Sequence, residues 1–169
     1  HRQRLDLLPL FIPFEATPAR SLFVTVWDDM LWAWRGAPEA DEWLTEALGR
    51  PCRLVYMSDM VRRDVEPALN HEGQLVSFAD GYPFLLVGEA ALADLNTRLP
   101  QPVPLDRFRP NLVFGGGAPY EDDTWKTFRI GDVPFRAVRG CGRCVLTTID
   151  QATATKSPMG EPLRTLATY

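Results

Sequence analysis

Residues 83–100, PFLLVGEAALADLNTRLP, carry the reading on which the fold turns. After Pro83, residues 84–87 form a short apolar run between chain breakers, the pattern of a buried strand. Gly88 opens a helix over 89–99. Ala91, Leu92, Leu95 and Leu99 recur at helical spacing there, and Pro100 ends it. A buried strand feeding straight into an amphipathic helix implies that sheet and helix share one core. Downstream the chain reads as β-rich, with short strands over 111–114, 127–130, 135–138 and 145–149, each bounded by Gly, Pro or Asp. The glycine run Gly115–Gly117 is a loop. Upstream, Leu22, Val24 and Val26 alternate within 19–34, and Asp28-Asp29 supplies a tight turn into a second strand over 31–34, which makes a hairpin. From Ala37 the period changes. Pro38 suits a first helical position, Glu39, Asp41 and Glu42 suit the first turn, and Gly49 stops the helix. Its apolar stripe is Trp43, Leu44, Ala47 and Leu48. Residues 53–57 return to a strand, and 58–74 are polar without a clear period. The expected fold is α+β and mostly β: a mixed or antiparallel barrel with a few peripheral helices.

Bulk properties narrow the function. With 46% hydrophobic and 24% charged residues, the 169-residue chain has the composition of one globular domain or two small ones. A net charge of −4 argues against a nucleic-acid binder. Basic clusters at 50–53 and 62–63 remain, and each could hold a single phosphate. No apolar run reaches the roughly 18 residues of a membrane span, and the longest, 7–14, is broken by Pro9 and Pro13. Fifteen prolines and twelve glycines imply many turns and weigh against a helical bundle. The chain begins at His1 rather than Met, so it is expected to start inside a gene product or after a removed segment. Three cysteines make a poor disulfide framework and favour a reducing, cytosolic setting.

The chemically pointed segment is 139–150, RGCGRCVLTTID. Cys141 and Cys144 are the close thiols, flanked by Arg139 and Arg143, and neighbouring cations favour thiolate. Three chemistries compete. A structural zinc site needs four ligands, and only Cys52, His1 and His71 stand beside the pair. A thioredoxin-like dithiol wants its first Cys at a helix N-terminus, whereas VLTTI after Cys144 reads as a strand. A single thiolate could instead hold a soft metal in a cofactor whose anionic group is gripped by arginine. The bland alternative is two small core cysteines.

Several segments in order carry a resemblance: 78–96 (FADGYPFLLVGEAALADLN), 107–114 (RFRPNLVF), 121–138 (EDDTWKTFRIGDVPFRAV), 141–150 (CGRCVLTTID) and 161–169 (EPLRTLATY). Their succession resembles MOSC domains of the amidoxime-reducing type and their bacterial relatives. Residues 20–57 resemble the end of the β-barrel domain that precedes MOSC in such proteins. The resemblance implies three segments: 1–57 as the C-terminal part of that barrel, 58–74 as a linker, and 75–169 as an incomplete MOSC domain. It implies a bacterial, cytoplasmic protein that binds a molybdenum–pterin cofactor and reduces N-hydroxylated compounds such as amidoximes and hydroxylamines. Electrons would come from a ferredoxin-like or cytochrome b5-like partner, or from a fused domain outside this chain. Cys144 falls on the family's molybdenum ligand and would be the catalytic position. Gly142 and Arg143 adjoin it, where the family touches phosphate or pterin. Arg109 and Asn111 fall on the Arg and Asn of the family's FRPN motif, and Asp80 on an acidic position before the second helix. Gly81 and Tyr82 complete that segment, with Tyr82 standing where the family often has Ser. The family's N-terminal Lys-Ser pair is not found in the first twenty residues, and both ends are expected to be cut points. Two rival readings follow. One is a sulfur carrier using a Cys144 persulfide, since MOSC domains occur in cofactor sulfurases beside a separate pyridoxal-phosphate domain. The other is a non-catalytic module with a buried cysteine pair.

Overall fold

The computed structural model describes residues 7–13, 20–66 and 73–169, so the candidate zinc ligands His1 and His71 lie outside the described residues. The chain divides into two compact units, His1–Pro83 and Phe84–Tyr169. This division falls at Pro83, whereas the sequence reading set its last boundary at 74/75.

The first unit is built on an antiparallel hairpin of β1 (Ser21–Val26) and β2 (Asp29–Arg35). The Val26↔Asp29 pair closes a two-residue turn. The turn is therefore Trp27-Asp28, one residue earlier than expected, with Trp27 at φ 54. Leu31 and Ala33 point inward and are buried. On the opposite face Phe23 and Trp32, directly paired in register, bring their rings to 3.7 Å. The short β3 (Val55–Tyr56) adds to β2.

Helix α1 (Pro38–Leu48) starts with Pro38 in its first turn and ends at Gly49 in the left-handed region, φ 67. Both ends obey local backbone preferences: proline lacks the N–H that would go unused, and glycine has no Cβ to oppose positive φ. In the first turn the buried Asp41 accepts from the Arg35 guanidinium at 2.7 Å and from the Leu54 N–H at 2.7 Å. One carboxylate thus ties α1 to the end of β2 and to the approach to β3. Ala40, Val65 and Val76 complete the buried apolar set among the described residues of this unit, beside an isolated Asp64↔Leu75 bridge.

In the second unit β4 (Leu86–Gly88) runs directly into α2 (Glu89–Arg98), and β5 (Leu112–Phe114) returns parallel to β4. Leu95, Leu99 and Phe108 form the core cluster, with Val87, Leu92, Val103 and Leu166 packed against it. Asn96 fixes the return chain by donating to the Val103 carbonyl at 3.0 Å and accepting from its N–H at 2.8 Å. A hairpin of β6 (Thr127–Ile130) and β7 (Val133–Arg136) and a four-residue α3 (Leu163–Leu166) complete the unit.

The α+β class holds, but two expectations are corrected. The described strands make three separate sheets of two or three strands, one with a parallel pair, and no closed barrel occurs among the described residues. The strands of the second unit are only three or four residues long, too short for a continuous ring of pairing. Residues 145–149 are not a strand either. Val145–Thr148 is a 3-10 turn, followed by a lone Ile149↔Lys156 bridge. The buried Thr147 and Thr148 donate their hydroxyls to the carbonyls of Cys144 (2.9 Å) and Val145 (2.7 Å). Such local bonding outcompetes the β preference of a branched run.

Candidate functional site

The site residues read from the sequence fall in both units. Asp80, Gly81 and Tyr82 belong to the first, and Arg109, Asn111, Gly142, Arg143 and Cys144 to the second.

In the second unit, the 3-10 turn Leu105–Phe108 ends at Arg109, whose backbone is left-handed (φ 50). Any residue with a Cβ meets a steric cost in that conformation, and Arg109 leaves the turn as an exposed side chain. With Leu105, Asp106, Pro110 and Gln151, Arg109 lines an open depression of about 690 Å³. Asn111 accepts the Leu85 N–H through Oδ1 at 2.9 Å. That bond holds the start of β5 beside the approach to β4.

The second group precedes the 3-10 turn Val145–Thr148. Cys144 is its N-terminal flanking residue, and both Cys141 and Cys144 are exposed free thiols. The Thr147 N–H and hydroxyl both satisfy the Cys144 carbonyl, at 3.1 and 2.9 Å, which fixes the cysteine backbone. Arg143 donates to the Phe108 carbonyl at 2.8 Å, and its guanidinium lies 5.2 Å from the Phe108 ring centre. Its Nε is buried without a hydrogen-bond partner. A Cβ built on Gly142 would meet nothing within 4 Å. The space at Gly142, two residues before Cys144, is therefore open.

Two residues that the sequence reading passed over tie these segments together. Arg107 donates to Asp150 at 2.7 Å, joining the 105–108 turn to the end of the 145–148 turn. Asp150 also accepts the Thr153 N–H and hydroxyl, each at 2.9 Å. The Thr153 N–H, then its hydroxyl, then Arg107 hold the Asp150 carboxyl below the ordinary carboxylate value. The pair is 43 residues apart in sequence, and no local signal announces it.

In the first unit the 77–80 segment is organised by Arg63, which is buried. Its guanidinium donates to the carbonyls of Ser77 (2.8 Å), Ala79 (2.6 Å) and Asp80 (3.3 Å), and to the Asp29 carboxylate (2.7 Å). The Asp80 side chain accepts the Trp27 indole N–H at 2.6 Å, and the Tyr82 hydroxyl donates to Glu66 at 3.3 Å. The partners of Arg63 lie 14 to 34 residues from it in sequence, so no local signal announces them.

Chemically, the second unit offers two accessible thiols, Cys141 and Cys144, an exposed guanidinium and a second guanidinium with an unsatisfied buried N–H. No group of three or more metal-ligating side chains occurs among the described residues, which do not include His1 and His71. A single-thiolate metal ligand with arginine partners for an anion is the chemistry this donor set fits. No helix among the described residues is long and apolar enough to cross a membrane.

Comparison with known proteins adds the lineage. A family model described as the MOSC domain matches residues 73–169. The chain is 38% identical over 145 residues to a molybdenum cofactor sulfurase of Arabidopsis thaliana, a match covering 76% of this chain and 18% of that protein. It is 39% identical over 133 residues to the human mitochondrial amidoxime-reducing component 1, covering 76% of this chain and 39% of that protein. The zebrafish (Danio rerio) counterpart is 38% identical over 140 residues, covering 78% and 42%. The chain thus spans well under half the length of each of these relatives. The sequence-based expectation of a bacterial, cytoplasmic protein is overturned: these relatives come from a plant and from animals, and the animal ones are named as mitochondrial.

Proposed function

The chain belongs to the MOSC domain family, and on that premise we propose that it is the cofactor-binding part of a molybdenum-dependent reductase of N-hydroxylated compounds. One observation carries this reading. The exposed Cys144 thiol stands on a backbone fixed by Thr147, with Arg143 beside it in sequence and the buried Arg143 Nε still lacking an acceptor. The names of the relatives agree with it, since they speak of a molybdenum cofactor and of amidoxime reduction.

Cys144 as thiolate is the metal ligand, a soft donor suited to molybdenum. Arg109 and Arg143 take the anionic phosphate of the pterin, for which a planar guanidinium fork is matched in geometry. The Asn111 amide supplies a donor, its oxygen being committed to Leu85. Within the second unit Gly142 gives close approach; in the first, Asp80 is a candidate acceptor for N–H groups, with Gly81 and Tyr82 in the same segment. When bound, the cofactor supplies the two-electron chemistry that takes oxygen from an N–O bond. The substrate class is amidoximes and hydroxylamines. Reduction of N–OH to N–H consumes two electrons and two protons and releases water. The electrons come from a ferredoxin-like or cytochrome b5-like donor, or from a domain beyond these residues.

Elemental analysis of the protein produced in a cofactor-competent host tests this. About one molybdenum and one phosphorus per chain are expected, with molybdenum lost in Cys144→Ser and the far-ultraviolet circular dichroism unchanged. A folded protein without molybdenum would sink the reading. A second reading is favoured by the plant relatives, whose name is that of a sulfurase: Cys144 as a persulfide carrier. In that case Cys144→Ser abolishes persulfide labelling while any bound molybdenum stays.

A further inference from the structure

The basic cluster at 50–53 is not used by the reading above, and the first unit gives part of it a setting. Arg20 immediately precedes β1 and Arg35 ends β2, and the Arg35 N–H bonds the Arg20 carbonyl at 2.8 Å. The two arginines are therefore cross-strand neighbours. Arg53 lies two residues before Val55, the register partner of Arg35. All three arginines, with Ser21 and Leu22, line one concavity of about 310 Å³ at this end of the sheet.

Like charges facing each other across antiparallel strands destabilise the pairing. One carboxylate, Asp41, answers them, and it is bonded to Arg35. Arg53 lends Asp41 its field without bonding it. Among the described residues, the side chains of Arg20 and Arg53 make no hydrogen bond or ion pair. Three guanidinium charges against one carboxylate leave the concavity in positive surplus, on a chain whose net charge is −4.

We infer that this concavity binds a phosphate group. A dianion matches the surplus better than a monocarboxylate does, and guanidinium forks bond tetrahedral oxyanions in bidentate fashion. The Leu22 side chain, on the same strand face as Arg20 and Arg35 by alternation, gives an attached carbon skeleton an apolar contact. A volume near the lower end of small-molecule pockets suits a free phosphate or a small phosphate monoester, not a polymer backbone. The inference rests on the first unit alone and is independent of the molybdenum reading.

Isothermal titration calorimetry of the 169-residue chain at fixed ionic strength decides it, with inorganic phosphate, glycerol phosphate and acetate as probes. One phosphate site is expected, with acetate giving no saturable heat. Arg53→Ala and Arg20→Ala, both at exposed positions, each weaken phosphate by roughly tenfold or more. Arg50→Ala, outside the concavity lining, leaves it unchanged. Tighter binding of glycerol phosphate identifies an organic monoester as the ligand; equal binding identifies free phosphate. Absence of phosphate binding, binding matched by acetate, or binding indifferent to both Arg20→Ala and Arg53→Ala overturns the proposal.

Discussion

Arg63 illustrates how one buried charge can organise a segment whose own side chains do other work. Burying a guanidinium is costly unless its N–H groups are satisfied, and here three carbonyls of 77–80 and the Asp29 carboxylate satisfy them. Those bonds set the backbone on which Asp80 sits. Arg63→Ala should destabilise the protein by roughly 3 kcal/mol, since it orphans several partners at once. Arg63→Lys should recover less than half of that, because an ammonium is a point donor and cannot serve the Asp29 carboxylate, the Ser77 and Ala79 carbonyls and the Asp80 carbonyl from three separate nitrogens as the guanidinium does. Equilibrium urea unfolding reads both values. A loss under about 1 kcal/mol for the alanine variant, or full rescue by lysine, would show that the fork is dispensable. Arg63 sits in a stretch that reads from sequence as a polar loop. Its partners lie 14 to 34 residues away, and a pairing at that range leaves no periodic trace.

The same contrast between local and distant causes decides which elements were legible. Helix α1 was readable to its ends because Pro38 and Gly49 act through their own φ preferences, which need no tertiary information. The hairpin of β1 and β2 was readable from alternation, and the run 127–130 from the chain breakers that bound it. The 145–148 turn was not, because two threonine hydroxyls capture carbonyls that a strand would need. In the candidate site, sequence patterns named residues one by one, and the Arg107–Asp150 bond between the 105–108 and 145–148 turns left no such pattern. Gly88 is a further case, since its helix-opening role was visible but its packing role was not. It is buried, and a Cβ there would meet the Phe114 ring at 2.7 Å across the parallel β4–β5 pair. Gly88→Ala should therefore cost about 1–3 kcal/mol by overpacking, at an N-cap whose backbone is extended and where alanine gains nothing from helix propensity. Gly81→Ala, where a Cβ meets nothing within 4 Å, is the control. Thermal melts of the two variants should differ by several degrees, and equal melting temperatures would place the Phe114 ring as freely yielding.

At the scale of the whole molecule, its two units carry different pH liabilities. Burial alone would raise the Asp41 carboxyl. The Leu54 N–H and the Arg35 bond outweigh burial, helped by the Arg35 and Arg53 charges, and leave it below its ordinary 3.8. Asp150 in the second unit is lowered as well. A carboxyl lowered by folding stabilises fully above its unfolded value and loses that contribution as pH falls through the folded one. Acid below about pH 3.8 therefore loosens both units. Asp122, raised by burial and then by the Asp123 and Glu121 charges, works the other way and offsets part of the loss in the second unit. Alkali acts through Tyr120. Burial first, then hydrogen bonding with Tyr169 and Asp94, raises its phenol above the ordinary 10.0. A phenol raised by folding stabilises fully below its unfolded value, so stability falls as pH climbs past about 10, where the unfolded chain ionises and the folded one does not. One such group gives a slope of at most about 1.4 kcal/mol per pH unit. Urea unfolding of wild type and Tyr120→Phe at pH 9, 10 and 11 isolates it, because every other titrating group is common to both. The variant should be less stable at pH 9, having lost the 2.9 Å bond to Asp94, and the gap should close as pH rises. A gap that stays constant from pH 9 to 11 would mean that Tyr120 ionises equally in the folded and unfolded states, and that the second unit owes its alkaline limit to other groups.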